Sequence, residues 1–163
     1  MKFIKSIIQF FMLLAVTATA YADKAKDDVK QIKCLAQNIY FESRGESMEG
    51  QFAVAAVTMN RVKSKKYPNS VCEVVWQRRQ FSWTHDGKSD RPRDRKAWQQ
   101  ATTLADFIYK KYYLFQAISN DAWDITRGAL HYYSSYISEP HWAGSMSVSA
   151  KIGRHIFLNN NNT

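Results

Sequence analysis

Three glutamates, Glu42, Glu46 and Glu49, crowd into the stretch Ile39–Gly50, and one of them stands in unusual surroundings. Glu42 follows Ile39 by three positions and Leu35 by seven, so helical spacing sets it on an apolar face. A carboxyl held there loses hydration, and desolvation raises the pKa of an acid. Such a group can deliver a proton at neutral pH. The chemistry within its reach is protonation of a leaving oxygen, as in cleavage of a glycosidic bond. Many enzymes of that kind set a second carboxylate opposite the first, and the candidates are Glu46, Glu49 and Asp86. Glu46 lies beyond Gly45 and Glu49 in the first turn of the next helix, so both are expected to be solvated and structural. Asp86, just before Gly87, has the position of a turn residue. A single acid fits a mechanism in which the substrate supplies its own nucleophile. In peptidoglycan the muramic C6 hydroxyl can close on the anomeric carbon while Glu42 acts first as acid and then as base.

Other residues suit the same substrate. Phe81, Trp83, Tyr132, Tyr133 and Trp142 could stack on sugar rings, although each would serve equally as core. Gln80 and Ser82 alternate with the aromatics and could reach N-acetyl groups, or simply face solvent. His85, His131, His141 and His155, with Asp86 and Asp121, permit a zinc site by composition. No His-Glu-x-x-His or comparable ligand spacing occurs, so no metal and no other cofactor is expected. A Gly-x-Ser-x-Gly elbow and a glycine-rich phosphate loop are both missing from the sequence.

The elements that must position these groups are mainly helical. Asp23–Asp28 is a charged, frayed lead-in, and Val29, Ile32, Leu35, Ala36 and Ile39 mark a helix to about Arg44. Gly45 suits a left-handed cap, and Ser47 a helix N-cap with Glu49 near the positive end. The helix over about Met48–Lys65 is apolar almost all round until Arg61, which makes it the buried spine of the core. A short helix over Val71–Gln77 follows a cap at Asn69 or Ser70. Gln80–Gly87 reads as strand-like aromatic alternation closed by an Asp-Gly turn. Pro92 opens a long helix to about Tyr113, and Leu114–Trp123 suggests another short one. Ala129–Tyr133 and Ile152–Leu158 look extended, with an aromatic-rich loop between them.

At 163 residues the chain supports one domain. Residues 1–22 read as a signal peptide: Lys2 and Lys5 are a basic start, Ile7–Val16 an apolar run, and Ala20-Tyr21-Ala22 a cleavage site. The expected mature domain is 23–163, exported to the periplasm or cell envelope. Loss of the leader removes two lysines and no acid, lowering the net charge from +9 to +7. That charge suits a polyanion without choosing among peptidoglycan, teichoic acid, lipid head groups and nucleic acid. Lys and Arg concentrate between Arg78 and Arg95, so one face should be more basic than the rest. In an oxidising compartment the two cysteines, Cys34 and Cys72, are expected to form a disulfide closing a loop of nearly forty residues.

The segment Cys34–Glu46, with its Glu-x-Arg-Gly-Glu core, resembles the spore-cortex-lytic (SleB-like) cell-wall hydrolase family. The resemblance continues through Glu49–Gln51, Ala53–Val57, Asn60–Val62 and Tyr67–Asn69, and resumes at Gln80–Trp83, Asp86-Gly87, Ala129–Tyr133, Trp142-Ala143 and Ile152–His155. It implies a mainly α (α+β), lysozyme-like domain with a short β element beside the active-site groove. It also implies a lytic transglycosylase cutting between N-acetylmuramic acid and N-acetylglucosamine to leave an anhydro-muramic end. The family's catalytic glutamate corresponds to Glu42, and Glu46 to a structural one. Phe81, Ser82, Asp86, His131, Tyr132 and Tyr133 match positions near the cleft and are expected to bind substrate. The expected partner is the peptidoglycan glycan strand, with no nucleic acid, membrane contact only through the signal peptide, and a monomeric chain. An amidase or peptidase acting on the stem peptide is the alternative, and would call for a metal. A wall-binding module without activity would leave Glu42 no purpose.

Overall fold

A computed structural model describes residues 2–118 and 121–161, with side chains from residue 19 onward. Helix α1 runs Lys2–Ser43, α2 Met48–Lys63, α3 Val71–Val75 and α4 Arg95–Ala117. Strands β1 (His131–Ser134), β2 (Met146–Ile152) and β3 (His155–Asn160) form one antiparallel sheet in the order β1-β3-β2. The domain is mainly α with a small β element, as the resemblance implies.

Helix α2 lies between two apolar clusters, which is why its sequence is apolar on every side. Ala55, Ala56 and Met59 pack with Leu35 and Ile39 of α1, Val75 of α3, and Ala105 and Ile108 of α4. Ala53 and Val57 face the opposite way, onto Ala129 and Phe157 beside the sheet. Ser47 caps α2 by accepting from the Gly50 amide, and Glu49 sits in its first turn. Cys34 and Cys72 are bonded, with Cα atoms 5.2 Å apart, and pin α1 to α3.

Several local expectations are corrected. The helix predicted from Val29 begins at Lys2, so Asp23–Asp28 is helical rather than frayed. Asp28 is held by the Tyr109 hydroxyl of α4 at 2.9 Å, which gives that turn a tertiary anchor. Side chains up to residue 18, within the expected 1–22 leader, lie outside the described residues. Gly45 does not adopt a left-handed conformation; positive φ angles fall at Gly87, Gly128 and Gly153 among the glycines. A Cβ at position 45 would instead meet the Arg154 guanidinium at 3.1 Å. Gln80–Gly87 is no strand: Ser82–His85 is a 3₁₀ turn that sends Phe81 and Trp83 into the core. Helix α4 starts after Asp94, which accepts from the Ala97 amide, so Pro92 precedes the helix. It continues unbroken to Ala117, absorbing the start of the separate helix expected from Leu114. The extended segment at Ile152–Leu158 is divided by the Gly153-Arg154 turn, with β2 arriving before it.

Candidate active site

Glu42 occupies the last turn of α1, at the mouth of a cavity of about 320 Å³ lined also by Arg61, Arg79, Gln80, Phe81, Ser82, His85 and Tyr132. The four contributing pieces are the end of α1, the end of α2, the segment between α3 and α4, and β1. Tyr132 donates its hydroxyl to Glu42 Oε2 at 3.0 Å. The ring behind that hydroxyl is wedged between His155 and Phe157, with centroids 5.2 and 5.8 Å away, so the donor is fixed by the core beneath the sheet.

Burial raises the Glu42 pKa above the ordinary carboxylate value; the Tyr132 hydrogen bond and the Arg61 charge offset part of the rise. Tyr132 is itself raised well above the usual tyrosine range, first by burial and then by the Glu42 charge, so it remains a donor. Glu42 is the acid among the residues lining this cavity.

Of the cations lining the cavity, Arg61 is the one whose charge acts on Glu42. Its residue is only 5% exposed, its Nε donates to the Leu130 carbonyl at 2.9 Å, and its guanidinium lies over the rings of Tyr67 and Phe81 at 5.3 and 5.2 Å. Leu130 immediately precedes β1, so the same arginine that faces Glu42 also fixes the strand that brings Tyr132. A buried polar chain holds the remaining wall. Trp83 Nε1 donates to Asn38 Oδ1 at 3.2 Å, and Asn38 Nδ2 donates to Thr58 Oγ1 at 3.0 Å. The Trp83 ring also stacks on Phe41 at 4.7 Å. Arg79 turns the chain into this wall with a left-handed backbone, φ 65°.

Of the residues singled out in the sequence, Glu42, Phe81, Ser82 and Tyr132 come together here. Phe81 is buried and supports Arg61 from below, while Ser82 is exposed at the rim. Asp86 lies outside the cavity, where its carboxylate caps the Lys88 amide and pairs with the Lys88 side chain. His131 and Tyr133 point to the other face of β1, as strand alternation requires, and both rings rest against Trp142 at 5.9 and 6.1 Å. Burial, and then the charges of Arg61 and Lys66, lower the His131 pKa.

Glu46 is structural but not solvated, its side chain being 6% exposed. It is gripped by the Arg154 guanidinium and by the Arg154 amide at 3.1 Å. Burial pushes its pKa up, yet the bonds and charge of Arg154 outweigh this and leave it lowered. Gly153 makes the clamp possible: its φ is +56°, and a Cβ there would sit 2.6 Å from Glu46 Oε2. The turn of the β2–β3 hairpin is thereby locked to the loop that follows Glu42.

The sequence reading missed Arg61, taken only as the polar end of α2, and Arg79 and His85 as members of this cavity. The aromatic residues at 67 and 81 were the available signal for Arg61, since a planar cation finds its place among rings.

The "Cell Wall Hydrolase" family model matches residues 45–158, a stretch that begins just after Glu42. The spore cortex-lytic enzyme of Bacillus cereus is 36% identical over 126 residues, which are 77% of this chain and 43% of that protein. The enzyme of the same name from Bacillus subtilis is 33% identical over 126 residues, covering 77% of this chain and 36% of that one. The chain thus spans less than half the length of these relatives. Among solved structures, the catalytic domain of the Bacillus cereus SleB protein matches with a TM-score of 0.58 and 32% identity, over 79% of this chain and 89% of that one. The catalytic domain of the germination-specific lytic transglycosylase SleB from Bacillus anthracis matches with a TM-score of 0.54 and 36% identity, over 79% and 93% of the two chains. By sequence and by fold, this chain belongs to the cell wall hydrolase family.

Proposed function

We propose that residues 23–163, once freed of the 1–22 leader and exported, form a lytic transglycosylase that cuts the bond between N-acetylmuramic acid and N-acetylglucosamine. The observation that carries this reading is a half-buried carboxyl, Glu42, in a cavity that also presents a hydrogen-bond donor and a guanidinium. One of the two solved relatives is the catalytic domain of a germination-specific lytic transglycosylase, which supports it.

In this reading Glu42 reacts from its protonated form, which burial favours. It gives that proton to the glycosidic oxygen as the bond to the anomeric carbon breaks. The resulting carboxylate is stabilised by the Tyr132 hydroxyl and by Arg61, both of which favour the charged form. It then takes the proton of the muramic C6 hydroxyl as that oxygen closes on the anomeric carbon. The acid is regenerated, and the product carries an anhydro ring in place of an added water. Gln80 and Ser82, at the rim, are placed to receive sugar substituents, and the His131, Tyr133 and Trp142 cluster offers a platform further along the sheet.

Mass spectrometry of digested wall tests the reading. Anhydro-muramic ends are expected; reducing muramic ends would mean hydrolysis, and freed stem peptides with intact glycan would mean an amidase. A second test concerns pH. Tyr132→Phe removes a bond that lowers the Glu42 pKa, so the alkaline limb of the wall-lysis profile should move to higher pH. A limb that stays put or moves down would separate Tyr132 from the acid.

A further inference from the structure

Beside the Glu42 cavity lies a second depression of about 420 Å³ whose lining has a different chemistry: Tyr40, Phe41, Arg44, Lys88, Ser89, Arg91 and Arg93. Four cations and no acid line it. Phe41 and Glu42 are successive residues of α1, so both depressions take part of their wall from the last turns of one helix.

This is a constructed cradle rather than a chance run of basic side chains. Tyr40 is only 4% exposed, and its hydroxyl oxygen accepts from two successive backbone amides, Arg93 at 3.1 Å and Asp94 at 3.0 Å. At the other end of the same segment, Gln37 Nε2 donates to the Asp90 carbonyl at 3.4 Å. The stretch bearing Arg91 and Arg93 is therefore tied to α1 at both ends. Arg44 is positioned from α1 itself, its guanidinium 5.0 Å from the centre of the Tyr40 ring. Of the nearby acids, Asp94 caps α4, while Asp86 pairs with Lys88 and offsets that one cation, so the three arginines carry the unpaired charge of the cradle. Among the described residues, no ion pair is formed by Arg44, Arg91 or Arg93.

Guanidinium groups carried close together on a tethered backbone segment are complementary to carboxylates, which they can bind through paired N–H donors. The polymer that Glu42 is proposed to cut carries such groups close to the reacting bond. Each muramic residue bears a lactyl ether from which a short peptide with several free carboxylates extends. With the muramic ring at Glu42, that peptide leaves the glycan within reach of the adjoining depression. We propose that the cradle of Arg44, Lys88, Arg91 and Arg93 binds the carboxylates of the stem peptides on the glycan being cleaved. This rests on the reading of Glu42 as a glycan-cleaving acid and adds a preference for peptide-bearing muramic residues.

The test uses the mature chain and purified wall from which phosphate-containing secondary polymers have been removed. One portion keeps its stem peptides and the other has been stripped of them by an amidase. Binding is followed by co-sedimentation, and cleavage by release of soluble glycan. The wild-type protein is expected to bind the peptide-bearing wall about tenfold more tightly at low salt, as several exposed charge pairs acting together would give, with the difference shrinking as salt is added. The double substitution Arg91→Gln and Arg93→Gln should bind the two preparations alike, with an unchanged thermal melt. Equal binding of both preparations by the wild-type protein overturns the proposal, as does a double variant that keeps the preference. An arginine dependence seen only on wall that retains its phosphate polymers overturns it as well. Cleavage without preference removes the cradle and leaves the role of Glu42 standing, whereas preference without any glycan cleavage does the reverse.

Discussion

Replacing Glu42 with Gln is expected to lower wall-lytic activity by about 10²–10⁴-fold, the usual worth of a positioned general acid and base. The amide is close in shape to the carboxylic acid and its oxygen can still accept from Tyr132, so the cavity should survive. Only the transferable proton is lost. The same substitution should make the protein more stable at neutral pH. The folded-state pKa of Glu42 lies above its unfolded value of about 4.5. Between those two values the folded state therefore holds more protons than the unfolded one, and stability falls as pH rises through that window. Above it, the wild-type protein carries the full cost of a desolvated carboxylate, which Gln does not have. The variant's advantage in a denaturant titration should accordingly grow with pH across the window and then level off. Undiminished lysis by the Gln variant would end the case for Glu42. A variant less stable than its parent at pH 7 would mean that the carboxylate is better solvated than its burial implies.

Loss of the Cys34–Cys72 bond is expected to cost about 3–4 kcal/mol, the chain-entropy value for a loop of this length, given a sequence separation of 38 residues. The helices it joins do not depend on it alone. Gln31 Oε1 of α1 accepts from the Cys72 amide at 2.9 Å, and Val71 and Val75 of α3 are buried in the main cluster. The folded state should therefore keep its shape while the unfolded chain gains freedom. In calorimetry the double substitution Cys34→Ser and Cys72→Ser should lower the melting temperature by roughly 10 °C. Adding reductant should do the same to the parent and nothing to the variant. A parent melt that does not respond to a reductant able to cleave the bond would show that the bridge adds no stability.

What the sequence carried depended on how far the controlling contacts reach. Helix α2 was legible because burial on both sides leaves an apolar run that no surface helix would have. The Ser47 cap was legible because its bond spans three residues. Strand β2 was not: its burial follows no alternation and is interrupted by a bulge between Val148 and Ala150. The segment around Phe81 and Trp83 misled because two buried aromatics spaced by two residues fit a strand and a 3₁₀ turn alike. At the site, the unusual setting of Glu42 was visible from its own neighbours along the helix. Arg61 was not, because nothing local distinguishes an arginine held by a carbonyl 69 residues away from one facing water. Gly45 was expected to be a left-handed cap and is not; the group closest to an added Cβ there, the Arg154 guanidinium, comes from a distant hairpin that no local pattern reveals.

The Tyr132 hydroxyl reaches Glu42 across 90 positions of sequence, and Arg154 reaches Glu46 across 108. A polypeptide emerging from the ribosome or threading through a translocase presents the acid long before it presents either partner. During that interval the carboxyl at position 42 is bathed in water, ionised at neutral pH, and unable to donate. On the proposed reading of Glu42, competence to cut arrives only once the final hairpin has closed, and an unfinished or truncated molecule is expected to be harmless to the polymer around it.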